Sequence, residues 1–185
     1  MKKGDGEDRA PVFTIGHSTH SIEEFVELLQ AHGVKRLIDI RTIPRSRHNP
    51  QFNGDVLPDS LKRAKIAYTH MKQLGGLRHA RPDSINTGWH NASFRGFADY
   101  MQTEEFEAGL EKLLAAAVKK PVAIMCAEAV PWRCHRSMIA DALTARGVEV
   151  RHITSRTRAE LHSLTPFAKV RAKRVTYPAS KLTQE

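Results

Sequence analysis

Near the start of the chain two short apolar runs frame an amphipathic helix, and this arrangement constrains the fold more than any other feature. Val12-Phe13-Thr14-Ile15 reads as a strand that stops at Gly16-His17-Ser18. Ser21-Ile22-Glu23-Glu24 follows as a capping box, in which Ser21 accepts from an early helix N–H and Glu24 reaches back. Phe25, Val26, Leu28 and Leu29 make one apolar stripe, and Gly33 is a natural stop. Leu37-Ile38-Asp39-Ile40 is then a second strand. Strands joined through a helix run parallel, because the crossover returns the chain to the edge it started from.

The pattern continues. After a polar loop from Arg41 to Gly54, residues 57–64 read as a short helix and Ala67-Tyr68-Thr69-His70 as a brief strand. A second irregular stretch opens at Leu74-Gly75-Gly76-Leu77-Arg78 and runs to about Ser93; loops of this length in a compact domain are often functional. Helix is expected from Phe94 to Met101 and again from Glu104 to Val118. Thr103 is a candidate N-cap for the latter, whose Phe106, Leu110, Leu113, Leu114 and Val118 share a face. Pro121 turns the chain into a strand over Val122 to Met125. A helix then buries Met138, Ile139, Ala142 and Leu143 and stops at Gly147, and Val148 to Ile153 is a fifth strand. The tail alternates loop and short strand up to Val175-Thr176-Tyr177-Pro178. The expectation is a three-layer, Rossmann-like α/β domain over residues 13–178 with a mainly parallel sheet of about five strands. A flexible N-terminus (1–12) and a short tail (179–185) would flank it.

Composition narrows the class. A chain of 185 residues with 41% hydrophobic and 26% charged residues suits one soluble globular domain, large enough to bury a full core. It contains no apolar run of the roughly 18 residues a membrane span needs. The polar N-terminus lacks the apolar core of a signal peptide. Only Cys126 and Cys134 are present, which fits a reducing cytoplasm with free thiols better than a disulfide framework, although a bridge between them is geometrically open. The formal charge is +9; residues 156–185 hold seven Lys/Arg against two Asp/Glu and so carry +5 of it. Nucleic acid, an anionic metabolite and plain solubility all fit that excess.

The candidate chemistry lies where strands end. In an open α/β sheet ligands bind beyond the strand C-termini, where helix N-termini favour anions. Four such ends supply polar clusters: Gly16-His17-Ser18, Asp39 with Arg41, Tyr68 with the Gly75-Gly76 loop, and Cys126 with Glu128. The stretch from Ala123 to Arg136 is the richest, with an apolar strand ending in a thiol and a carboxylate, a proline turn, and Cys134-His135-Arg136 opening a helix. Glu128 is the first choice for general acid or base, since partial burial after a strand would raise its pKa; a structural ion pair is the competing role. Asp39 shares a strand face with Arg41 and reads as a positioning group. Arg41, Arg45, Arg47, Arg133 and Arg136 could form an anion pocket, their planar forks matching phosphate or carboxylate, or could pair with surface acids.

Cys134, beside two arginines near a helix start, has the setting of a reactive thiol. Cys126 opens a C-x6-R spacing without glycine, which departs from the C-x5-R loop of thiol phosphatases, and also fits a small buried apolar residue. Cys126, Cys134 and His135, with Glu128 or His17, match no compact zinc spacing. His17 and His135 are either acid/base groups or hydrogen-bonded structural histidines. Trp89-His90-Asn91 and Phe94-Arg95-Gly96-Phe97-Ala98 could stack bases, but more often such aromatics anchor a long loop.

Several of these blocks together resemble the bacterial domain-of-unknown-function family numbered 488. They are Thr14-Ile15-Gly16-His17-Ser18, Asp39-Ile40-Arg41, Pro44-Arg45-Ser46-Arg47, Leu74-Gly75-Gly76, Phe94 to Met101, Met125-Cys126-Ala127-Glu128, Cys134-His135-Arg136, Thr165-Pro166-Phe167-Ala168 and Tyr177-Pro178. The likeness covers roughly Phe13 to Pro178. It implies a compact α/β domain that includes the basic tail, and it carries no secure activity, cofactor or substrate.

Three functions follow as expectations. The first is a small cytoplasmic hydrolase or transferase acting on a phosphate-bearing substrate, such as a nucleotide or a nucleic-acid end. Glu128, assisted by His17 and His135, would be its acid/base, and the arginines with Gly16, Ser18, Tyr68, Gly75 and Gly76 would hold the substrate. The second is a non-catalytic nucleic-acid-binding or regulatory module. The third is a thiol enzyme that uses Cys134.

Overall fold

A computed structural model describes residues 9–180. Eight strands and five α-helices follow in the order β1 (Val12–Gly16), α1 (Ile22–Ala31), β2 (Arg36–Asp39), α2 (Leu57–Arg63), β3 (Ala67–His70), α3 (Ala92–Tyr100), α4 (Glu104–Lys119), β4 (Val122–Cys126), α5 (Arg136–Thr144), β5 (Val150–Ile153), β6 (Ala159–Leu161), β7 (Lys169–Arg171) and β8 (Arg174–Thr176). The main sheet has the order β3-β2-β4-β1-β5-β6. Its first five strands are parallel, as expected, and β6 adds an antiparallel sixth at the edge. β7 and β8 form a separate hairpin. Of the flexible N-terminus expected over 1–12, residues 1–8 lie outside the described residues, as do 181–185 of the short tail; Val12 already belongs to β1.

Alternation along the strands feeds two cores. Phe13, Ile15, Leu37, Ala123 and Met125 pack with Phe25, Leu28 and Leu29 of α1 and Leu57 and Leu61 of α2. Ile38, Val122 and Ile124 face the other way, onto α3, α4 and α5. The result is three layers, a consequence of side chains pointing alternately to opposite faces of a strand. No helix among the described residues is long and apolar enough to cross a membrane.

Local signals act as their chemistry demands. Ser21 Oγ accepts from Glu24 N at 3.1 Å, while the Glu24 carboxylate turns to His20 Nδ1 instead of back along the helix. Gly33, at φ 69°, ends α1 with Val34 N bonded to Leu29 O. Thr103 caps α4. Val118, expected on its buried face, is 52% exposed, and Ala117 takes the inner place.

The tail is part of the fold. Asp141 of α5 is fully buried and accepts from Tyr177 Oη (2.7 Å), Thr165 Oγ1 (2.7 Å) and Thr165 N (3.0 Å). It also meets His162 Nε2 at 2.8 Å, and a chain of contacts continues through His152 to Thr14 of β1. The long loop before α3 is anchored in the same manner: Asp99 accepts from Arg81 N, Ser84 Oγ and Asn86 Nδ2, and Asn86 Oδ1 accepts from Tyr177 N. Trp89 packs against Phe94, Phe167 and Tyr177, so this aromatic segment is a loop anchor.

Removing one donor from a buried carboxylate costs about 1–3 kcal/mol. Tyr177→Phe is therefore expected to lower the urea unfolding free energy by about that amount. An unchanged midpoint would show that the Tyr177–Asp141 hydrogen bond contributes nothing to stability.

Candidate functional site at the thiol edge

β4 is buried along its whole length and ends at Cys126 between β1 and β2. The chain beyond it is held down by β1: His17 N donates to Cys126 O (2.9 Å) and Ser18 N to Ala127 O (3.0 Å). A Cβ on Gly16 would lie 1.9 Å from Glu128 O and 2.8 Å from Arg136 Nη1. Only glycine permits that approach. Ser18, at φ 44°, makes the turn that follows. The loop then passes through a single 3-10 turn, Pro131–Arg133, and enters α5 at Arg136.

This path brings the two cysteines together. Cys126 Sγ and Cys134 Sγ are 2.7 Å apart, both as free thiols and both buried. Arg136 is 1% exposed and donates from Nη1 to Cys126 Sγ (3.3 Å) and from Nη2 to Ala129 O (3.1 Å). Its Nε has no partner, and no carboxylate among the described residues forms an ion pair with it. Burial works against a charged Cys126, but hydrogen bonding from Cys134 and the Arg136 charge outweigh it and bring that thiol below its ordinary value. Cys134 moves the other way. Its hydrogen bond to Cys126, burial and the neighbouring negative charge all push its thiol far up. Of the pair Cys126 is thus the more acidic thiol, because the helix begins two residues after Cys134 and the guanidinium reaches the other sulfur.

His135 follows Cys134 with Nε2 committed to Leu74 O (3.0 Å) and Ile40 O (3.2 Å). Its Nδ1 lies 3.6 Å from Cys134 Sγ. Burial lowers its pKa to about 4, so the imidazole is neutral near pH 7. A cavity of about 330 Å³ opens above the thiols, the size of a small-molecule site. Cys126, Cys134, His135, Gly76, Arg41, Arg45, Glu128 and Arg133 contribute to its lining, along with Ile43, Leu77 and Phe94. Among the described residues no group of three or more His, Cys, Asp and Glu is placed to hold a metal ion.

A second network closes the neighbouring strand ends. Arg41 grips Asp39 through Nε (2.9 Å) and Nη2 (2.7 Å), and Tyr68 Oη donates to the same carboxylate at 2.7 Å. Arg41 Nη2 also donates to Phe52 O, and its Nη1 lies 3.4 Å from His17 Nε2. His17 Nδ1 donates to Ser18 O and its ring stacks on Phe52. Burial lowers the His17 pKa. Asp39 and His17 are thereby internally satisfied, and they hold Arg41 at the cavity wall.

A family model matches residues 21–143, more than half of the chain. The chain belongs to that family, described as domain of unknown function DUF488. The DUF488 match contains Asp39, Arg41, Cys126, Glu128 and Cys134-His135-Arg136 and ends in α5, while Gly16-His17-Ser18 and the Tyr177 anchor lie outside it. No curated protein and no solved structure gives a match.

Within this DUF488 chain the expected site residues separate into three groups. Arg41, Arg45, Gly76, Glu128, Arg133, Cys134 and His135 line the cavity. Glu128 does so with an exposed side chain, not the partly buried one expected, because its backbone carbonyl occupies the inner position over Gly16. Asp39, His17, Tyr68, Arg136, Gly16, Ser18 and Gly75 stand behind the cavity as supports; a Cβ on Gly75 would lie 2.4 Å from Thr42 Oγ1. Arg47 is exposed and does not line it. The five arginines therefore do not form one anion pocket: Arg41 and Arg136 are buried on internal partners, and Arg45 and Arg133 are left free at the cavity. Sequence reasoning missed Ile43, Leu77 and Phe94, whose only signal was apolar residues within otherwise polar loops.

His135 and His152 are each lowered to about 4, chiefly by burial. The unfolded chain takes up their protons near pH 6.5, so their contribution to stability is present above that value and is lost as pH falls toward 4. Unfolding midpoints in urea should fall across this interval, with a shallower fall in His152→Gln. An identical slope in the variant would refute this linkage.

Proposed function

We propose that the protein is a cysteine-dependent enzyme in which the Cys126 thiolate attacks a small anionic substrate. One observation carries this reading: the buried Arg136 guanidinium has no carboxylate partner among the described residues and donates to Cys126 Sγ at 3.3 Å. A buried cation needs a compensating anion, and a thiolate provides one while becoming a nucleophile. Arg45 and Arg133, exposed at the cavity, supply forks for a phosphate or carboxylate. Ile43, Leu77 and Phe94 offer an apolar wall for the body of the substrate. Glu128, exposed at the same cavity, is placed to exchange a proton with a leaving group or a water. The central role thus passes from Glu128 to Cys126, and Cys134 is its partner. A module holding nucleic acid by surface charge alone would not require a buried cation on a thiol.

The test compares alkylation by neutral iodoacetamide and anionic iodoacetate. Cys126 should react in the folded protein with a midpoint below the ordinary thiol range, and Cys126→Ser should abolish that labelling. Replacing Arg45 and Arg133 with alanine should lower the rate with iodoacetate roughly three- to tenfold and leave iodoacetamide unaffected, given the modest worth of exposed charge contacts. Labelling that requires denaturant would refute the proposal.

A further inference from the structure

Building on the Cys126 nucleophile, we infer that Cys134 is its resolving thiol and that the cavity reduces a small anionic disulfide. The geometry that points there is the 2.7 Å approach of two free thiols, both lining one cavity. Hydrolysis or simple group transfer needs one nucleophilic sulfur. A second thiol in contact with it would intercept whatever Cys126 carries, because an intramolecular neighbour has a very high effective concentration. Which interception is productive depends on the atom attached. A phosphoryl or acyl group on Cys126 would be attacked at phosphorus or carbon. A sulfur attached to Cys126 instead leaves Cys126 Sγ itself electrophilic, with a thiolate able to depart.

Cys126–S⁻ attacks one sulfur of R–S–S–R′, forming Cys126–S–S–R and releasing R′–S⁻. The Cys134 proton, which had been held by the Cys126 thiolate, loses that acceptor and passes to R′–S⁻ to give R′–SH. Cys134–S⁻ then attacks Cys126 Sγ, the protein disulfide forms, and R–S⁻ departs. Two electrons pass from the dithiol to the substrate. Two equivalents of a low-molecular-weight thiol reductant restore the dithiol and become a disulfide themselves.

The surroundings of Cys134 suit this sequence. Its proton is held most firmly while Cys126 is negative, since the hydrogen bond to that thiolate is the largest contribution pushing it up. Once Cys126 is in a mixed disulfide, that contribution is gone. What remains is burial, which still opposes a charged sulfur, and Arg136, whose charge and backbone N–H (3.4 Å from Cys134 Sγ) both favour a thiolate. His135, fixed by two carbonyls through Nε2, presents Nδ1 to Cys134 and no competing positive charge. The resolving thiol is thus held inactive until the first attack has occurred. Arg45 and Arg133 favour a disulfide whose substituents carry carboxylates.

The test uses the reduced full chain with glutathione disulfide as the anionic probe and hydroxyethyl disulfide as the neutral one, followed by intact-mass and thiol-release measurements. Wild type should lose the mass of two hydrogens and release two thiols per chain, several-fold faster with the anionic probe. Cys134→Ser, and Cys134→Ala as a second variant, should stop at one released thiol and one mixed disulfide on Cys126. If wild type also stops at the mixed disulfide, Cys134 does not resolve and the inference fails while the Cys126 reading stands. If neither disulfide reacts although iodoacetamide labels Cys126, the substrate class is wrong and the nucleophile again stands. If Cys126 is inert to every reagent, both fail.

Discussion

A fully buried guanidinium without an acidic partner among the described residues is the constraint around which this edge of the molecule is arranged. Arg136 opens α5 and projects back beneath the loop that follows β4. Desolvating a charge of this kind costs several kcal/mol unless something answers it. The Cys126 sulfur and the Ala129 carbonyl are what answer it here. The Ala129 contact holds the loop inward, and the inward loop in turn requires Gly16, because Glu128 O occupies the space a side chain would need. One cation thus links the state of the thiol, the curvature of the loop and the identity of a residue on the neighbouring strand.

The C-terminal edge of the sheet is divided between a closed half and an open half. At β2 and β3, Asp39, Arg41, Tyr68 and His17 satisfy one another and expose little unmet capacity. Such a network rigidifies, and its members fit supporting roles better than chemical ones. At β4 the two sulfurs, an incompletely bonded arginine and a cavity lie together. Reactivity belongs where satisfaction is incomplete, which is why the proposed chemistry sits at Cys126 instead of at the better-bonded Asp39.

The tail supports this edge from the far side of α5. Asp141 lies in the same helix as Arg136 and collects donors from Tyr177 and Thr165. Its contact with His162 continues through His152 to Thr14 on β1, so the helix that carries the key arginine is fastened to the strand next to β4. A segment whose sequence is mainly basic and polar is thereby ordered by a few buried residues, with Val175 and Tyr177 supplying the apolar anchor.

Much of the architecture was legible in the sequence because it follows from short-range rules. The apolar run Val12-Phe13-Thr14-Ile15, the Ser21 cap and the Gly33 stop are local, and they led to a parallel three-layer domain. The strand-end clusters were legible too, since topology places all parallel strand ends on one edge. The sequence by itself therefore determined the fold class and the edge at which to look. Tertiary structure alone decided which sulfur is the more acidic, which arginines are free, and that Glu128 faces solvent. Those outcomes depend on Gly16 admitting the backbone of a loop far away in the chain, and on that loop folding back so that Arg136 reaches Cys126. Spacing sets which residues are available, but charge state depends on burial and on partners a few ångströms away, and only the packed chain defines those.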